Sequence, residues 1–107
     1  WWVVNADTPD HVARRLGLDP SAIPRTGKPL RSMLLSTASL LFAGEGFGGD
    51  PVLRALDKDT GAIVAEIALP ASATGHPVSY LHAGRQYVLV AVGSIEHPAE
   101  FVALVLP

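Results

Sequence analysis

Residues 52–69, VLRALDKDTGAIVAEIAL, contain two short apolar segments on either side of a strong turn signal. The segments are rich in Val, Ile, Leu and Ala and are bounded by turn residues, a pattern typical of β-strands. In the intervening DKDTG, the Asp57 carboxylate can accept hydrogen bonds from the turn's N–H groups, and Gly61 can adopt a positive φ. This stretch therefore predicts two antiparallel strands joined by a tight turn.

The same pattern continues on both sides of this stretch. From residue 31 onward, short apolar segments alternate with turn residues such as Ala83-Gly84, and no helical periodicity is sustained. Many short strands at such spacing favour an antiparallel all-β fold. The predicted strands are 32–36, 40–44, 52–56, 63–69, 78–81, 87–92 and 101–106.

The first thirty residues are loop-like, with prolines at 9, 20, 24 and 29. One short helix is predicted there, with Thr8 as its cap, Pro9 in its first turn and Gly17 at its end. Val12, Ala13 and Leu16 would lie on one side of it.

An internal repeat makes the all-β prediction more specific. FAG at 42–44 corresponds to AVG at 91–93, and VLRAL at 52–56 corresponds to FVALV at 101–105, both at an offset of 49 residues. A period of about 40 to 50 residues with up to four strands per unit is typical of β-propeller blades. We therefore predict a loop-rich segment at 1–30, one blade at 31–70 and a C-terminal blade at 71–107.

The glycines at 44–49, GEGFGG, satisfy the G-x-G-x-x-G spacing of dinucleotide-binding turns. Asp50 and Pro51 could begin a helix after them, and Glu66 lies near the position of a ribose-binding acid. Against this alternative, the turn at 57–61 interrupts any such helix, Glu66 lies inside a predicted strand, and no βαβ alternation follows. We therefore favour a glycine-rich loop between two strands.

Size and composition limit the function classes. The chain has 107 residues and begins with Trp, so we expect a piece of a larger protein. Charged residues are 17% and apolar residues 49%, which leaves little polar surface for an independent globule. A net charge of -2 argues against a nucleic-acid partner. The chain contains no Cys. No apolar run is long enough to span a bilayer.

The turn and its surroundings resemble the blade repeat of pyrroloquinoline quinone (PQQ)-dependent dehydrogenases, which carry an Ala-x-Asp-x-x-Thr-Gly turn between the two outer strands of a blade. Residues 69–93, LPASATGHPVSYLHAGRQYVLVAVG, and the terminal ALVLP resemble the last blade of the membrane-bound glucose and quinate dehydrogenase group. The chain departs from the family pattern at Ala65, where these proteins usually carry a Trp that docks between blades.

The resemblance implies an eight-bladed propeller in the parent protein, with PQQ and a divalent cation, typically Ca²⁺, on its axis. It further implies oxidation of an alcohol or sugar in the bacterial periplasm and transfer of electrons to quinone, with an inner-membrane anchor, where present, outside these residues. Most cofactor and metal ligands would lie in other blades. We therefore expect no catalytic residue, no metal ligand and no cofactor binding by this segment alone.

Two residues are predicted cofactor contacts because of the resemblance. Asp50 matches an acidic residue in a loop near the cofactor pocket, and His97 lies near a pocket histidine that follows a Gly-Gly pair, here Gly93-Ser94. The commoner role for Asp50 is a turn aspartate that caps N–H groups before Pro51. Lys28 and Arg31 could meet cofactor carboxylates, although solvated loop charge is the more common role.

Other kinds of chemistry have weaker support. His76, His82 and His97 could be assembled into a zinc site, but no two of them have a short ligand spacing. No G-x-S-x-G elbow indicates a hydrolase. The competing function class is a non-enzymatic propeller scaffold for protein contacts, and a self-contained β-sandwich is the competing fold.

Overall fold

The computed structural model describes residues 10–23 and 33–106. The described N-terminal part contains helix α1, Asp10–Arg15, and a 3₁₀ turn, Pro20–Ala22. The strands are β1 Leu34–Ser36, β2 Leu40–Gly44, β3 Val52–Asp57, β4 Ile63–Ala68, β5 Val78–His82, β6 Arg85–Val92 and β7 Glu100–Val105.

The strands form two antiparallel sheets, so the predicted fold class is confirmed. The first sheet has the order β1-β2-β3-β4 and the second the order β5-β6-β7. Every pairing joins strands that are adjacent along the chain. The β2 bounds match the predicted ones, and the ends of the other strands differ from prediction by at most two residues, some longer and some shorter.

Helix α1 ends at a glycine. Gly17 has a φ of 72°, and the Leu18 N–H donates to the Ala13 carbonyl over 3.0 Å, which closes the last turn of the helix. Ala13 is fully buried, whereas Val12 and Leu16 are exposed, so the predicted apolar side is covered at one residue only. Thr8 and Pro9, the predicted cap, lie outside the described residues.

The turn between β3 and β4 is held by its aspartate. The Asp57 Oδ1 accepts the N–H groups of Asp59 and Thr60 over 3.0 and 2.8 Å and also the Thr60 hydroxyl over 2.8 Å. These hydrogen bonds lower the pKa of the Asp57 carboxyl from its ordinary value, and the bond from the Thr60 hydroxyl has the largest effect. Gly61 has a φ of 75°, as the sequence predicted. Local turn chemistry therefore fixes this hairpin.

The two sheets share one apolar core. The first sheet contributes Phe42, Leu53 and Ala55, all less than 5% exposed, and the second contributes valines of β6. The chain between the sheets adds small side chains to the same cluster. The remaining buried members of this core are Leu69, Ala71, Ala73, Val88, Val90 and Val92.

The internal repeat relates the two sheets to the shared core differently in its two strand pairs. The 49-residue offset relates Phe42 of β2, a core residue, to Ala91 of β6, which lies outside the core. The same offset relates Leu53 and Ala55 of β3, both in the core, to Val102 and Leu104 of β7, which pack against it. The repeat therefore does not by itself determine which faces of the two sheets meet.

The far face of the second sheet is apolar and open in the described part of the chain. Tyr80 and Tyr87 stack on it with ring centroids 5.2 Å apart, and Phe101 beside Ala91 is 74% exposed. Val78 and Val105 lie on the same face. An exposed apolar sheet face of this size is typical of an interaction surface. None of the described helices is long and apolar enough to cross a membrane.

Candidate functional site

The glycine-rich loop, residues 45–50, joins β2 to β3. Gly46 and Gly48 have φ values of 78° and 79°, a conformation that glycine adopts without steric cost. The Gly49 N–H donates to the Gly46 carbonyl over 3.0 Å and closes a tight turn. A Cβ on Gly49 would lie 2.6 Å from the Glu45 Cβ, so this position has no room for a side chain.

Glu45 lies buried at the start of this loop, with only 3% of its surface exposed. Its Oε2 accepts the Asp50 N–H over 2.9 Å, and its Oε1 forms an ion pair with the Arg54 Nη1 at 2.5 Å. The Arg54 Nε donates to the Glu66 Oε1 over 2.7 Å. One guanidinium therefore joins the loop to the edge strand β4 through two carboxylates.

The charge of Arg54 is favoured by this arrangement. Partial burial acts to lower the pKa of the guanidinium, but the hydrogen bonds and charges of Glu45 and Glu66 outweigh it and raise the pKa overall. Burial of the Glu45 carboxylate is tolerated because both of its oxygens have donors.

The same geometry disagrees with a dinucleotide turn. In such a turn the loop N–H groups face a phosphate, whereas here the Asp50 N–H is bonded to the protein's own buried carboxylate. The chain after the loop enters strand β3 at Val52 and not a helix. Glu66 pairs with Arg54 in the middle of β4, away from a strand end.

Asp50 does not cap the turn before Pro51. Its carbonyl accepts the Val52 N–H over 2.8 Å, while its carboxylate makes no hydrogen bond within residues 10–23 and 33–106. The Glu45 carboxylate accepts the Asp50 N–H, so Glu45, and not Asp50 as predicted, caps this turn. The Asp50 carboxylate is exposed and can accept hydrogen bonds or coordinate a hard cation such as Ca²⁺.

His97 lies in the equivalent loop of the second sheet, residues 94–99. The Ser94 Oγ accepts the N–H groups of Glu96 and His97 over 3.2 and 3.0 Å. The His97 Nε2 lies 2.8 Å from the Glu100 Oε1, so one ring nitrogen is already engaged. The loop is thus held by contacts within a few residues of itself.

Ser72 lies between the two loops, a position that no sequence pattern predicted. Its Oγ donates to the Gly49 carbonyl over 2.6 Å, and its own carbonyl accepts the Gly93 N–H over 3.0 Å. Ala73 follows it, forms a bridge with Val92 and contacts Gly44 so closely that a Cβ there would lie 2.6 Å away. The ends of β2 and β6, and the loops that follow them, therefore flank a single short segment.

The Glu45–Arg54–Glu66 network was also missed at the level of sequence. Arg54 and Glu66 are direct partners across β3 and β4, so the register alone would indicate their pairing. The contact with Glu45 depends on the shape of the loop and has no local sequence signal.

The other candidate residues are dispersed or lie outside the described part of the chain. Within residues 10–23 and 33–106, no three His, Asp or Glu side chains form a metal-binding cluster. His76 is exposed in a loop, and His82 contacts the edge of Tyr87 with ring centroids 6.3 Å apart. Lys28 and Arg31 are not among the described residues.

Antiparallel sheets of a repeated unit that pack on one another with their connecting loops at one edge are typical of β-propeller blades. Residues 1–88 match the family described as PQQ: Glucose/ethanol/alcohol dehydrogenase, beta-propeller domain. The match covers most of the 107 residues, and the chain belongs to this family of PQQ-dependent dehydrogenases.

Curated relatives agree with this assignment over a shorter stretch. The chain is 43% identical over 44 residues to methanol dehydrogenase [cytochrome c] subunit 1 of Paracoccus denitrificans, a match that covers 41% of this chain and 7% of the relative. The proteins of the same name from Methylobacterium organophilum and Methylorubrum extorquens are each 41% identical over 44 residues, with the same coverage of both chains. The matched segment is therefore a small part of these relatives.

Of the two predicted cofactor contacts, Asp50 has the side-chain chemistry that a contact with PQQ or Ca²⁺ needs. Asp50 offers an exposed carboxylate on a loop that is fixed from several directions. His97 fits less well, since its Nε2 is bonded to Glu100. Neither loop supplies the several oxygen ligands that a bound Ca²⁺ requires.

Proposed function

We propose that residues 1–107 form two consecutive blades near the C-terminus of a longer PQQ-dependent dehydrogenase that oxidises an alcohol or a sugar and passes electrons to quinone. Membership of the family supports this proposal most directly. The packing of the two sheets around one apolar core and the open apolar face of the second sheet support a further blade beside the second sheet. The resemblance implies a ring of eight.

In this proposal the contribution of the segment is mainly structural. PQQ, when bound, supplies the two-electron acceptor for oxidation of the substrate carbon. Asp50 presents its carboxylate at the rim of the cofactor site, where it can accept a hydrogen bond or contact the accompanying Ca²⁺. His97, oriented by Glu100, lies at the neighbouring rim position. The catalytic base and most ligands come from other blades.

The proposed setting follows from the same resemblance. The partners are the remaining blades of the parent chain, a small alcohol or sugar substrate and a quinone acceptor, with no nucleic acid. The location is the bacterial periplasm, with an inner-membrane anchor in sequence outside these residues.

The complete gene product, prepared without cofactor and then loaded with PQQ and Ca²⁺, provides the test. We expect dye reduction with glucose, quinate or simple alcohols that requires both PQQ and Ca²⁺, with protein lacking PQQ as the control. A full-length protein that neither binds PQQ nor reduces dye with any of these substrates contradicts the proposal. An Asp50→Asn variant that binds PQQ as tightly as the wild type contradicts only the rim role of Asp50.

A non-enzymatic propeller scaffold is the second candidate. Two observations favour it: Ala65 replaces the docking Trp of the family, and the His97 ring is engaged by Glu100. A scaffold has no need of a pocket carboxylate or cation ligands in its other blades. Their absence from the complete gene sequence, together with a failure to bind PQQ, would establish this alternative.

A further inference from the structure

The peptide group between Gly49 and Asp50 is held at both of its polar atoms. Its carbonyl oxygen accepts the Ser72 Oγ–H over 2.6 Å, and its N–H donates to the Glu45 Oε2 over 2.9 Å. Because the peptide bond is planar, fixing both atoms fixes the orientation of the whole group. The direction in which the Asp50 side chain leaves the loop is thereby restricted.

Of these two anchors, Ser72 is the one that comes from the neighbouring unit. It is 6% exposed and lies in the segment that passes between the sheets. Its carbonyl accepts the Gly93 N–H over 3.0 Å, and the next residue, Ala73, pairs with Val92. Ser72 therefore belongs to the second sheet by its backbone and to the loop of the first sheet by its side chain.

We infer that Ser72 is a positioning residue that sets the Asp50 carboxylate relative to the His97 loop and affects cofactor binding through Asp50. The inference rests on the proposed function for its cofactor role, but the effect on the loop follows from the contacts alone. Gly93 follows the last residue of β6 and donates its N–H to the Ser72 carbonyl, so Ser72 links the first loop, through its side chain at Gly49, to the residue before the second loop, through its backbone.

The hydrogen bond from the Ser72 hydroxyl to the Gly49 carbonyl is of ordinary strength. A neutral hydrogen bond contributes about 1 kcal/mol, which corresponds to roughly a fivefold change in an equilibrium constant. Ser72→Ala removes the hydroxyl while keeping the small apolar volume, and the Glu45 contact remains. We therefore expect a loosened loop and not a collapsed one.

The first experiment measures PQQ affinity in the complete gene product by equilibrium dialysis. It compares the wild type, Ser72→Ala, Asp50→Asn and the double variant. If Ser72 acts through Asp50, Ser72→Ala weakens PQQ binding about fivefold, and the double variant binds no more weakly than Asp50→Asn alone. Unchanged affinity in Ser72→Ala, or full additivity in the double variant, overturns the positioning role.

The second experiment measures amide hydrogen exchange of the same proteins without cofactor. Peptides that cover residues 45–52 should exchange about fivefold faster in Ser72→Ala, while β4 exchanges as in the wild type. Ser79→Ala is the matched control, because the Ser79 Oγ bonds only to the exposed Gln86 side chain among the described residues. Unchanged exchange in residues 45–52 overturns the link itself.

The two readouts separate the possible failures. If the wild-type protein binds no PQQ, the proposed function and the cofactor role of Ser72 are both overturned, and hydrogen exchange alone decides whether Ser72 fixes the loop. If PQQ binds normally and exchange rises without any change in affinity, Ser72 is a structural residue and not a positioning one.

Discussion

The loops that follow β2 and β6 are related by the internal repeat, but they are held in different ways. Residues 45–50 depend on a buried carboxylate, a guanidinium from the next strand and a serine from the second sheet. Residues 94–99 depend on Ser94 and on an exposed pair between His97 and Glu100. The first loop is held by its own Glu45, by Arg54 of the following strand and by the distant Ser72, whereas the second is held mainly by residues of its own and by Glu100 next to it.

This difference teaches where sensitivity to mutation should lie. A buried carboxylate has a high desolvation cost, so its partners matter far more than those of an exposed pair. The first loop is therefore coupled to two sheets, whereas the second can change its local sequence with little effect on the rest of the molecule. The following substitutions test this asymmetry.

Arg54→Leu should have the largest effect. It leaves the Glu45 carboxylate, whose side chain is 4% exposed, without its ion-pair partner, and it also removes the contact with Glu66. Loss of one partner of a buried pair costs about 3 kcal/mol or more in the free energy of unfolding. Denaturant unfolding of the complete protein measures the loss. Adding Glu45→Gln should restore part of it, and no restoration would contradict a charge-based cause.

Substitution of Gly44, the last residue of β2, and of Gly93, which follows β6, should give unequal results. A Cβ on Gly44 would lie 2.6 Å from the Ala73 Cβ, whereas a Cβ on Gly93 would lie 3.4 Å from the Ala99 Cα. Overpacking of this kind costs about 1–3 kcal/mol, so Gly44→Ala should be clearly destabilising and Gly93→Ala nearly neutral. Thermal unfolding of the matched pair measures the difference; equal effects would remove the asymmetry between the strand ends.

The Asp57 turn in the first sheet should make stability depend on acid pH. The Thr60 hydroxyl and nearby N–H groups lower the pKa of the folded-state carboxyl, so the ionised form stabilises the fold. This contribution is fully present above about pH 4, the ordinary Asp value, and is lost as the pH falls through the lower folded-state value. The stability difference between wild type and Asp57→Asn should therefore shrink below about pH 4. A difference that grows on acidification would reverse the sign and contradict this account.

His97→Gln should have the smallest effect on stability. The pair with Glu100 is one-third to one-half exposed, and exposed pairs contribute about 1 kcal/mol or less. Glu100→Gln is the matched control and should behave alike. A loss comparable to that of Arg54→Leu would show that the second loop is coupled as tightly as the first.

Local rules predicted much of the fold. Short apolar segments and turn residues were sufficient for the antiparallel strands, and the Asp57 turn formed the hydrogen bonds expected of it. These predictions succeeded because neighbouring residues determine them. Which faces of the two sheets meet could not be predicted, because the repeat relates core residues of β3 to residues of β7 that also contact the core, but relates Phe42 of β2 to Ala91, which lies outside it.

The candidate site was less predictable. Asp50 was expected to cap its own turn, but Glu45 occupies that role from five residues away. Ser72 reaches Gly49 across 23 residues, and no local pattern indicates such a contact. Cofactor contact by Asp50 and His97 stays a prediction.

The close contact of Gly44 with Ala73 has a geometric consequence for the assembly. In a ring of sheets, the number of members is decided by the angle between successive sheets, and the thickness of the side chains at each edge of the interface sets that angle. Small residues at this edge let the two sheets approach closely there, while Phe42 and the β6 valines keep them apart along the rest of the core. Enlarging Ala73 would therefore open the wedge between the sheets and strain the closure of the ring.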